Sequence, residues 1–301
     1  MPSLRARISN LACRLLVKRA LNKPAFDLAA VRRAMGARRG MPNAYPAGLR
    51  IEQSTEAALP GEWLLPAKIL SDRTIVFLHG GGYLAGSPRT HRALTAWLAH
   101  ESGTRTFSLD YRLAPEHPYP AGLDDAVAAV RAIVAQGVPM SQISLCGDSA
   151  GGGLVLATLL RLRDEGSALP GRAALICPLT DCTGESRTLV TNAASEPLLG
   201  LRHVALAMSM YAGNTPLRHP YLSPLFADLR ELPPMLVEAS RIEVLWDDAA
   251  HFVEKARAAG VDVTFVPHDG LHHDWHLMVP FVPEARDSVR RIAKFLAASA
   301  S

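Results

Sequence analysis

The 301-residue sequence predicts an α/β fold, in which helices cover both faces of a mostly parallel sheet. Short apolar runs rich in β-branched residues recur along the chain, and segments with helical periodicity separate them. The composition, 49% hydrophobic and 20% charged, suits one large buried core and excludes a disordered chain or a fibre.

Six runs are interpreted as buried strands because each is short and apolar. They are residues 74–78, 104–109, 143–146, 173–177, 235–239 and 261–266. Helical periodicity predicts helices over residues 123–135, 152–163, 249–259 and 283–298, several of which end at glycine. Because strand and helix alternate, we expect neighbouring strands to be parallel.

Two stretches do not follow this alternation. Residues 1–45 look helical and precede any strand, and residues 181–221 carry one clear helix, around 201–212, between turns rich in Gly, Pro and Asn. We predict that they form a helical cap over a core made of residues 46–180 and 222–301, because long excursions from a compact core usually build lids and binding loops. Ordinary peripheral packing is the alternative.

The net charge of +4 and the isoelectric point near 9.0 suggest a nucleic acid or an anionic membrane as partner. The charge is unevenly distributed, however. Residues 1–40 hold ten Lys and Arg against the single acid Asp27, so residues 41–301 carry a net charge of −5. Nucleic acid is therefore not expected, and the membrane hypothesis narrows to a cationic, amphipathic edge of the cap that touches anionic surfaces or lipid-like substrates.

The cysteines and the N-terminal segment favour a cytoplasmic protein. The four cysteines lack the paired spacing of a zinc site and are too few for a disulfide scaffold. Basic residues interrupt the apolar positions of residues 1–20, which predicts an amphipathic helix rather than a secretory signal or a mitochondrial presequence. No run approaches the roughly 20 apolar residues that span a bilayer, so we expect no stable membrane insertion.

The stretch 143–152 carries the most informative motif. A buried strand leads into Gly-Asp-Ser-Ala-Gly at residues 147–151, and a helix follows. In this context G-x-S-x-G predicts a nucleophile elbow, a tight turn that projects Ser149. Glycines flank the serine because the turn brings the backbone close to its neighbours. The turn also places Ser149 near a helix N-terminus, whose free N–H groups stabilise negative charge.

Residues 79–83, His-Gly-Gly-Gly-Tyr, follow the strand that ends at Leu78. A phosphate cradle is one interpretation, but no Lys-Ser/Thr follows and no G-x-G-x-x-G pattern fits. An oxyanion hole fits better, because backbone N–H donors approach an oxygen closely only where no Cβ intervenes. We expect His79 to orient this loop rather than to transfer protons.

Four histidines lie in residues 268–276, directly after a predicted strand. This loop offers the base that a nucleophilic serine needs. His272 and His276 have the spacing of a zinc-protease motif, but His273 stands where those enzymes have Glu, and Gly270 indicates a loop. We therefore predict a catalytic base here and neither a metal site nor a cofactor.

The acid that orients such a base should follow the strand at residues 235–239. Glu243 falls in the loop after this strand, whereas Asp247 and Asp248 come where the next helix begins and acidic residues often serve as N-caps. Position favours Glu243. The chain order is then serine, acid, histidine, as in the α/β-hydrolases and unlike chymotrypsin or subtilisin.

With these residues in place, the sequence resembles the hormone-sensitive-lipase-like branch of the α/β-hydrolases, the bacterial carboxylesterases. Three motifs carry the resemblance in order: residues 79–83, the segment Asp-Tyr-Arg-Leu-Ala-Pro-Glu-His-Pro-Tyr-Pro-Ala at 110–121, and residues 147–152. The likeness runs from about residue 74 to the C-terminus. It implies an α/β-hydrolase fold with a helical cap, and oxyanion N–H groups supplied by Gly81, Gly82 and Ala150.

The resemblance also bears on the acid and the base. Many members have D-P-L-x-D-E around the acid, which corresponds here to Glu-Val-Leu-Trp-Asp-Asp at residues 243–248 and puts Glu243 at the acid position. The family's His-Gly-Phe loop corresponds to residues 273–275, His-Asp-Trp. This match favours His273 over His272 and leaves the role of Asp274 open.

Together, these residues predict a cofactor-free serine carboxylesterase for short- to medium-chain acyl esters, with Ser149 as nucleophile, His273 as base and Glu243 as acid. A lactone or an N-acetyl group is an alternative substrate for the same triad. A receptor that binds a small ligand without catalysis is a further alternative, against which retention of all three residues argues. Members of this family often dimerise, which leaves a homodimer open.

Overall fold

The computed structural model describes residues 1–19, 27–36, 45–56 and 59–298. Its strands are β1 (Arg50–Gln53), β2 (Gly61–Leu65), β3 (Thr74–Leu78), β4 (Arg105–Leu109), β5 (Ile143–Asp148), β6 (Arg172–Ile176), β7 (Met235–Ser240) and β8 (Val263–His268). They form one sheet in the order β1-β2-β4-β3-β5-β6-β7-β8. From β4 to β8 each pair of neighbours is parallel, as the alternating sequence predicts.

Strands β1 and β2 pair antiparallel at one edge of the sheet, and β2 continues antiparallel onto β4. The sequence did not predict these two strands. The side chains of β1 are mostly exposed and those of β2 alternate in burial, so neither forms the continuous apolar run that marks a central parallel strand. The six predicted strands are all present, with ends that differ by at most two residues.

The helices of the described residues lie between these strands and before them. They are α1 (Leu4–Ala12, continued by a π-helical segment Cys13–Lys18), α2 (Leu28–Gly36), α3 (Pro88–Ser102), α4 (Ala121–Ala135), α5 (Ala150–Asp164), α6 (Thr188–Thr191), α7 (Leu201–Ala212), α8 (Trp246–Ala258) and α9 (Pro283–Ala297). Periodicity did not indicate α3, because buried polar residues such as His91, Thr95 and Ser102 interrupt its apolar positions. Its start is nevertheless well defined by a capping box between Ser87 and Thr90.

Two apolar layers cover the sheet. Buried side chains of α4, α5 and α8 form one large cluster with one face of the sheet. Those of α3 and α9 form the other, together with the 3₁₀ turn Trp275–Met278. The sheet is therefore enclosed as a parallel sheet must be, and the predicted α/β fold is confirmed.

The segments assigned to the cap are partly described. The helical interpretation of residues 1–45 holds for α1 and α2, while residues 20–26 and 37–44 lie outside the described part of the chain. Residues 181–221 contain the predicted helix α7, and also the four-residue helix α6. Tyr211 of α7 stacks on Tyr83 of the glycine loop with ring centroids 3.6 Å apart. This contact brings the 181–221 segment against the glycine loop at residues 79–83.

Candidate active site

Ser149 lies in a strained turn between β5 and α5. Its backbone has φ 53° and ψ −121°, a conformation that a residue with a side chain rarely adopts. A Cβ added at Gly151 would lie 2.0 Å from the carbonyl oxygen of Leu78, and one at Gly147 would lie 2.4 Å from that of Gly151. The two flanking glycines are thus required by close backbone approach, as the motif predicted.

Ser149 is hydrogen-bonded to His273. The Oγ atom of Ser149 lies 2.8 Å from Nε2 of His273, and Nδ1 of the same ring lies 2.6 Å from Oε2 of Glu243. The second Glu243 oxygen accepts a hydrogen bond of 2.7 Å from the backbone N–H of Ser240. With Nδ1–H directed at the carboxylate, Nε2 is left as the acceptor for the serine hydroxyl. The structure therefore brings together the three residues predicted as nucleophile, base and acid.

The sheet explains why residues so far apart in sequence meet. Ser149 follows β5, Glu243 follows β7 and the loop that carries His273 follows β8. All three strands are parallel, so their carboxyl ends lie at the same edge. This edge is where open α/β sheets place their reacting groups.

Asp274, whose role the sequence left open, contacts the catalytic histidine predicted at position 273. Its Oδ2 atom lies 3.0 Å from Nε2 of His273, the same nitrogen that faces Ser149. The residue adopts φ 52°, its side chain is almost fully buried, and its Oδ1 atom has no hydrogen-bond partner. Burial raises the pKa of Asp274 to about 6, against the opposing effect of His273. A carboxyl group is thus placed directly at the nitrogen that would exchange protons with a substrate.

The carboxylates determine the protonation of His273. Burial alone would lower its pKa, but Asp274, Cys177 and Glu243 together hold the pKa of His273 well above the usual value. The imidazolium form is therefore stabilised from both ring nitrogens. Such an arrangement stabilises the charge that the ring acquires when it takes a proton from a serine.

Cys177 was not singled out by the sequence, yet it contacts the same histidine. Its sulfur lies within 4.8 Å of a ring nitrogen of His273, and its backbone has a positive φ of 44°. The described residues contain one group of three potential metal ligands whose ligand atoms all lie within 4.8 Å of one another. Its members are Cys177, Glu243 and His273. A metal ion bound there would have to replace the hydrogen bond between Glu243 and His273.

Glu196 is a second buried acid that sequence reasoning missed. Its Oε1 accepts a hydrogen bond of 2.7 Å from the backbone N–H of Leu198 and lies 3.5 Å from the backbone nitrogen of His273. The Oε2 atom is buried without a partner, and burial raises the pKa of Glu196 to about 7. No sequence motif marks Glu196. Only its contact with the backbone of His273 shows that it lies at the site.

The glycine loop is fastened to the elbow by Asp148. Its Oδ1 accepts a hydrogen bond of 2.9 Å from the backbone N–H of Gly80, and its Oδ2 lies 3.1 Å from Nε2 of His91 on α3. His79 stacks on Tyr111 at 4.3 Å, and its carbonyl oxygen accepts a hydrogen bond of 2.6 Å from the Tyr111 hydroxyl. Burial lowers the pKa of His79 to about 3, so the ring stays neutral, as expected for a group that orients the loop.

The predicted oxyanion residues lie in this loop and at the start of α5. Gly81 and Gly82 have φ values of 119° and 66°, which only glycine adopts readily. The carbonyl oxygen of Gly81 accepts hydrogen bonds from the N–H groups of Leu84 and Ala85, which turns the loop back on itself. Ala150 is the first residue of α5, where backbone N–H groups have no partner within the helix.

The other acids considered from sequence have structural partners. Asp248 accepts hydrogen bonds from the N–H groups of Thr180 and Asp181 and from the Ser186 hydroxyl, and Asp247 bonds the N–H of Thr188. Neither is an N-cap, because Leu245 occupies that position of α8. The expected capping role is therefore wrong, and both acids instead hold the 180–188 segment.

The remaining histidines of the 268–276 loop are separated from Ser149. His272 lies 3.0 Å from the hydroxyl of Ser9, while His268 and His276 both contact Glu238. His272 and His276 thus face different partners, which does not support the zinc-protease alternative.

Comparison with known proteins decides the family. A family model described as the alpha/beta hydrolase fold matches residues 75–277. The chain belongs to the α/β-hydrolase family. The match spans the glycine loop, the elbow, Glu243 and the histidine loop, and it stops short of the first helices.

Related α/β-hydrolases support the predicted branch. The chain is 41% identical over 235 residues to an acetyl-hydrolase of Streptomyces hygroscopicus, covering 78% of each chain. It is 35% identical over 232 residues to an esterase of Acinetobacter venetianus, covering 77% of each. A crystal structure of an esterase from the bacterial hormone-sensitive lipase family superposes with a TM-score of 0.93 over the whole of both chains, at 36% identity. The protein is thus a hormone-sensitive-lipase-like α/β-hydrolase.

Proposed function

We propose that this α/β-hydrolase is a serine carboxylesterase that cleaves short- to medium-chain acyl esters through an acyl-enzyme. The hydrogen-bonded series Ser149, His273 and Glu243 at the nucleophile elbow carries the proposal. Such a series is the arrangement that turns a serine hydroxyl into a nucleophile at neutral pH. The names of the relatives, esterase and acetyl-hydrolase, support the same substrate class.

In the acylation step, Oγ of Ser149 attacks the ester carbonyl carbon while Nε2 of His273 takes the hydroxyl proton. Glu243 remains ionised and stabilises the imidazolium through Nδ1–H. The tetrahedral oxyanion accepts hydrogen bonds from the amides of Gly81, Gly82 and Ala150. When the intermediate collapses, Nε2–H passes its proton to the departing alcohol oxygen, and the acyl group stays on Ser149.

In the deacylation step, a water molecule attacks the acyl carbonyl carbon and gives its proton to Nε2 of His273. The second oxyanion forms in the same set of amides. Its collapse releases the carboxylic acid and returns the proton to Oγ of Ser149, so the cycle consumes one ester and one water and needs no cofactor.

The first test compares wild type and three single variants in p-nitrophenyl butyrate hydrolysis. We expect Ser149→Ala to lower kcat by about 10⁴-fold or more, because the nucleophile is lost. Glu243→Gln should also lower kcat strongly, since the amide no longer fixes the His273 tautomer. Asp247→Asn, a matched change four residues later, should leave kcat nearly unchanged. Equal rates for wild type and Ser149→Ala would contradict the mechanism, and a larger loss from Asp247→Asn would overturn the choice of acid.

A receptor without catalytic activity is tested separately. A fluorophosphonate probe should label wild type at Ser149 and leave folded Ser149→Ala unlabelled, as judged by intact mass. A panel of acetyl, butyryl and lactone substrates then distinguishes the ester from the lactone and N-acetyl alternatives. The acetyl-hydrolase name of one relative favours the shortest acyl groups.

We also propose a helical cap and a cytoplasmic location for this protein. Residues 1–45 and 181–221 would form the cap. Two contacts support it: Tyr211 stacks on Tyr83, and Lys18 donates hydrogen bonds to the carbonyl oxygens of Ala193 and Glu196.

The buried thiols of Cys146, Cys177 and Cys182 form no disulfide, which favours the reducing cytoplasm. None of the helices in the described part of the chain is long and apolar enough to cross a membrane.

A further inference from the structure

Helix α1 and its π-helical continuation present an apolar stripe to solvent. Leu4, Ile8, Leu11 and Leu15 follow at spacings of four, three and four residues, and their exposed fractions are 71%, 58%, 57% and 41%. This spacing puts side chains on one face of a helix. Six of the twelve exposed large apolar side chains of the described residues lie in residues 1–16. The stripe is therefore a concentrated feature and not a scatter of single side chains.

The opposite face of the same helix already holds it on the body of the protein. Ala6 and Cys13 are buried there. Asn10 bonds the carbonyl oxygen of Gly270 at 2.7 Å and the N–H of His272 at 3.2 Å, and Ser3 bonds Glu284. The helix is thus anchored through small and polar side chains, while its apolar side chains point away. This is the reverse of an ordinary surface helix, whose apolar face packs inward.

Basic side chains border the stripe on both sides. At 100° per residue, Arg5 lies on one side of the Leu4, Ile8 and Leu11 row, and Arg7 lies on the other. Both arginines are exposed, as are Arg14 and Arg19 further along. Residues 1–19 contain no acid, and no carboxylate of the described chain pairs with these four arginines.

An aliphatic stripe between rows of arginines fits the surface of an anionic bilayer. The leucines can enter the acyl region to a shallow depth, while the arginines reach the phosphates beside them. A second copy of this chain would bring one arginine-rich face against another, which like-charge repulsion opposes. Nucleic acid offers no apolar surface for four aliphatic side chains. The combination of apolar and cationic groups selects lipid.

We propose that α1 docks this protein on anionic lipid bilayers, lying flat with its apolar stripe in the membrane interface. The exposed Phe281 extends the contact, because its carbonyl oxygen accepts a hydrogen bond from Arg5 and so lies beside the stripe. The polar face of α1 bonds the loop that carries His273. Docking would therefore hold the reacting groups near lipid-borne esters.

The apolar contribution is tested by cosedimentation with vesicles of phosphatidylcholine mixed equally with phosphatidylglycerol. Wild type should bind these vesicles and bind pure phosphatidylcholine far more weakly. Leu11→Gln/Leu15→Gln should lower the partition coefficient at least about tenfold, because two side chains no longer enter the apolar region. The matched control is Ile69→Gln/Leu70→Gln, which changes two exposed aliphatic side chains elsewhere and should bind as wild type does.

The charge contribution is tested with Arg7→Gln/Arg14→Gln. Each lost charge should weaken binding to the anionic vesicles about fivefold at low salt, and the difference should shrink as the salt concentration rises. Arg50→Gln/Arg230→Gln lowers the net charge equally at exposed positions on other elements and should bind nearly as wild type does. Ser149→Ala should bind fully, which separates docking from the proposed catalysis.

Three results would overturn the proposal. One is the absence of wild-type binding to anionic vesicles at low salt. Another is undiminished binding by Leu11→Gln/Leu15→Gln, with circular dichroism showing that this variant is folded. The third is a wild-type dimer in sedimentation equilibrium that does not bind vesicles and that the Leu11→Gln/Leu15→Gln substitutions dissociate. A second copy of the chain would then cover the stripe.

Discussion

His273 lies between two carboxylates, and the second of them changes how the ring should titrate. Glu243 contacts Nδ1, as in other hydrolase triads. Asp274 contacts Nε2, the nitrogen that must exchange protons with Ser149 and the substrate. The negative charge of Asp274 stabilises the imidazolium and so opposes the neutral form that accepts the Ser149 proton. Asp274 therefore governs the pH at which the base becomes available.

Replacing Asp274 by Asn should move the acid limb of the kcat/KM profile to lower pH. We expect the wild-type limb to lie high, because an ionised Asp274, whose pKa is raised to about 6 by burial, stabilises the imidazolium form of His273 above that pH. Without the charge, the pKa of His273 falls, and we expect a shift of about one pH unit or more. The profile is measured with a soluble butyrate ester. Asp269→Asn, an exposed change in the same loop, should leave the limb in place; an unmoved limb in Asp274→Asn would refute the argument.

At the scale of elements, one side chain couples the loop after β3 to the turn after β5. Asp148 ends β5, bonds the N–H of Gly80 and contacts His91 on α3. Its position directly before Ser149 means that the nucleophile and the glycine loop share one support. Any displacement of this carboxylate alters the distance between the serine and the amides proposed to hold the oxyanion.

Asp148→Ala should lower kcat by about 100-fold while KM changes little, because misplaced amides stabilise the oxyanion less than the bound ester. Asp148→Asn keeps an oxygen for Gly80 and should recover much of the loss. Both variants are compared with wild type in steady-state kinetics, with the urea midpoint as a check on folding. If the two variants lose kcat equally, or if KM alone rises, Asp148 does not act through the loop.

Some of these elements and contacts could be predicted from the sequence, and others could not. Local turn chemistry predicted the Ser149 elbow and the glycine loop, and short apolar runs predicted the six central strands, since each depends on neighbouring residues. The contacts of Asp274, Cys177 and Glu196 with His273 depend on chain segments brought together only by folding, and no spacing in the sequence indicates them. Strands β1 and β2 were missed because their side chains are partly exposed and form no continuous apolar run.

For the molecule as a whole, Glu238 is a buried junction between the sheet and the layer packed on it. It lies on β7, and its oxygens contact His268 on β8, His276 in the 3₁₀ turn and Arg291 on α9. Burial would raise its pKa, but the hydrogen bonds from His268 and His276 outweigh this effect and lower the pKa of Glu238 below its usual range. The ionised form is therefore part of the folded structure.

Glu238→Gln should destabilise the protein by about 3 kcal/mol at pH 7, because the basic groups around it lose their buried partner. The pKa of Glu238 is lower in the folded than in the unfolded chain. Its contribution is thus present above about pH 4.3, the unfolded value, and is lost as pH falls through the folded value. The free energies of unfolding of wild type and Glu238→Gln are measured in urea at pH 7 and at low pH. The difference between them should be smaller at low pH. Glu101→Gln, in an exposed pair with Arg290, should show little difference at either pH; a constant gap for Glu238→Gln would contradict the linkage.

The anchoring of α1 has a consequence for how the chain acquires its structure during synthesis. Ser3, Ser9 and Asn10 bond residues that lie between 260 and 281 positions later in the sequence. This helix leaves the ribosome long before its partners, so it cannot dock until almost the whole sheet and the histidine loop have been made. Until then, its leucines and its buried Ala6 are both uncovered. A segment made early is thus fixed late, and its docking adds support to the His273 loop.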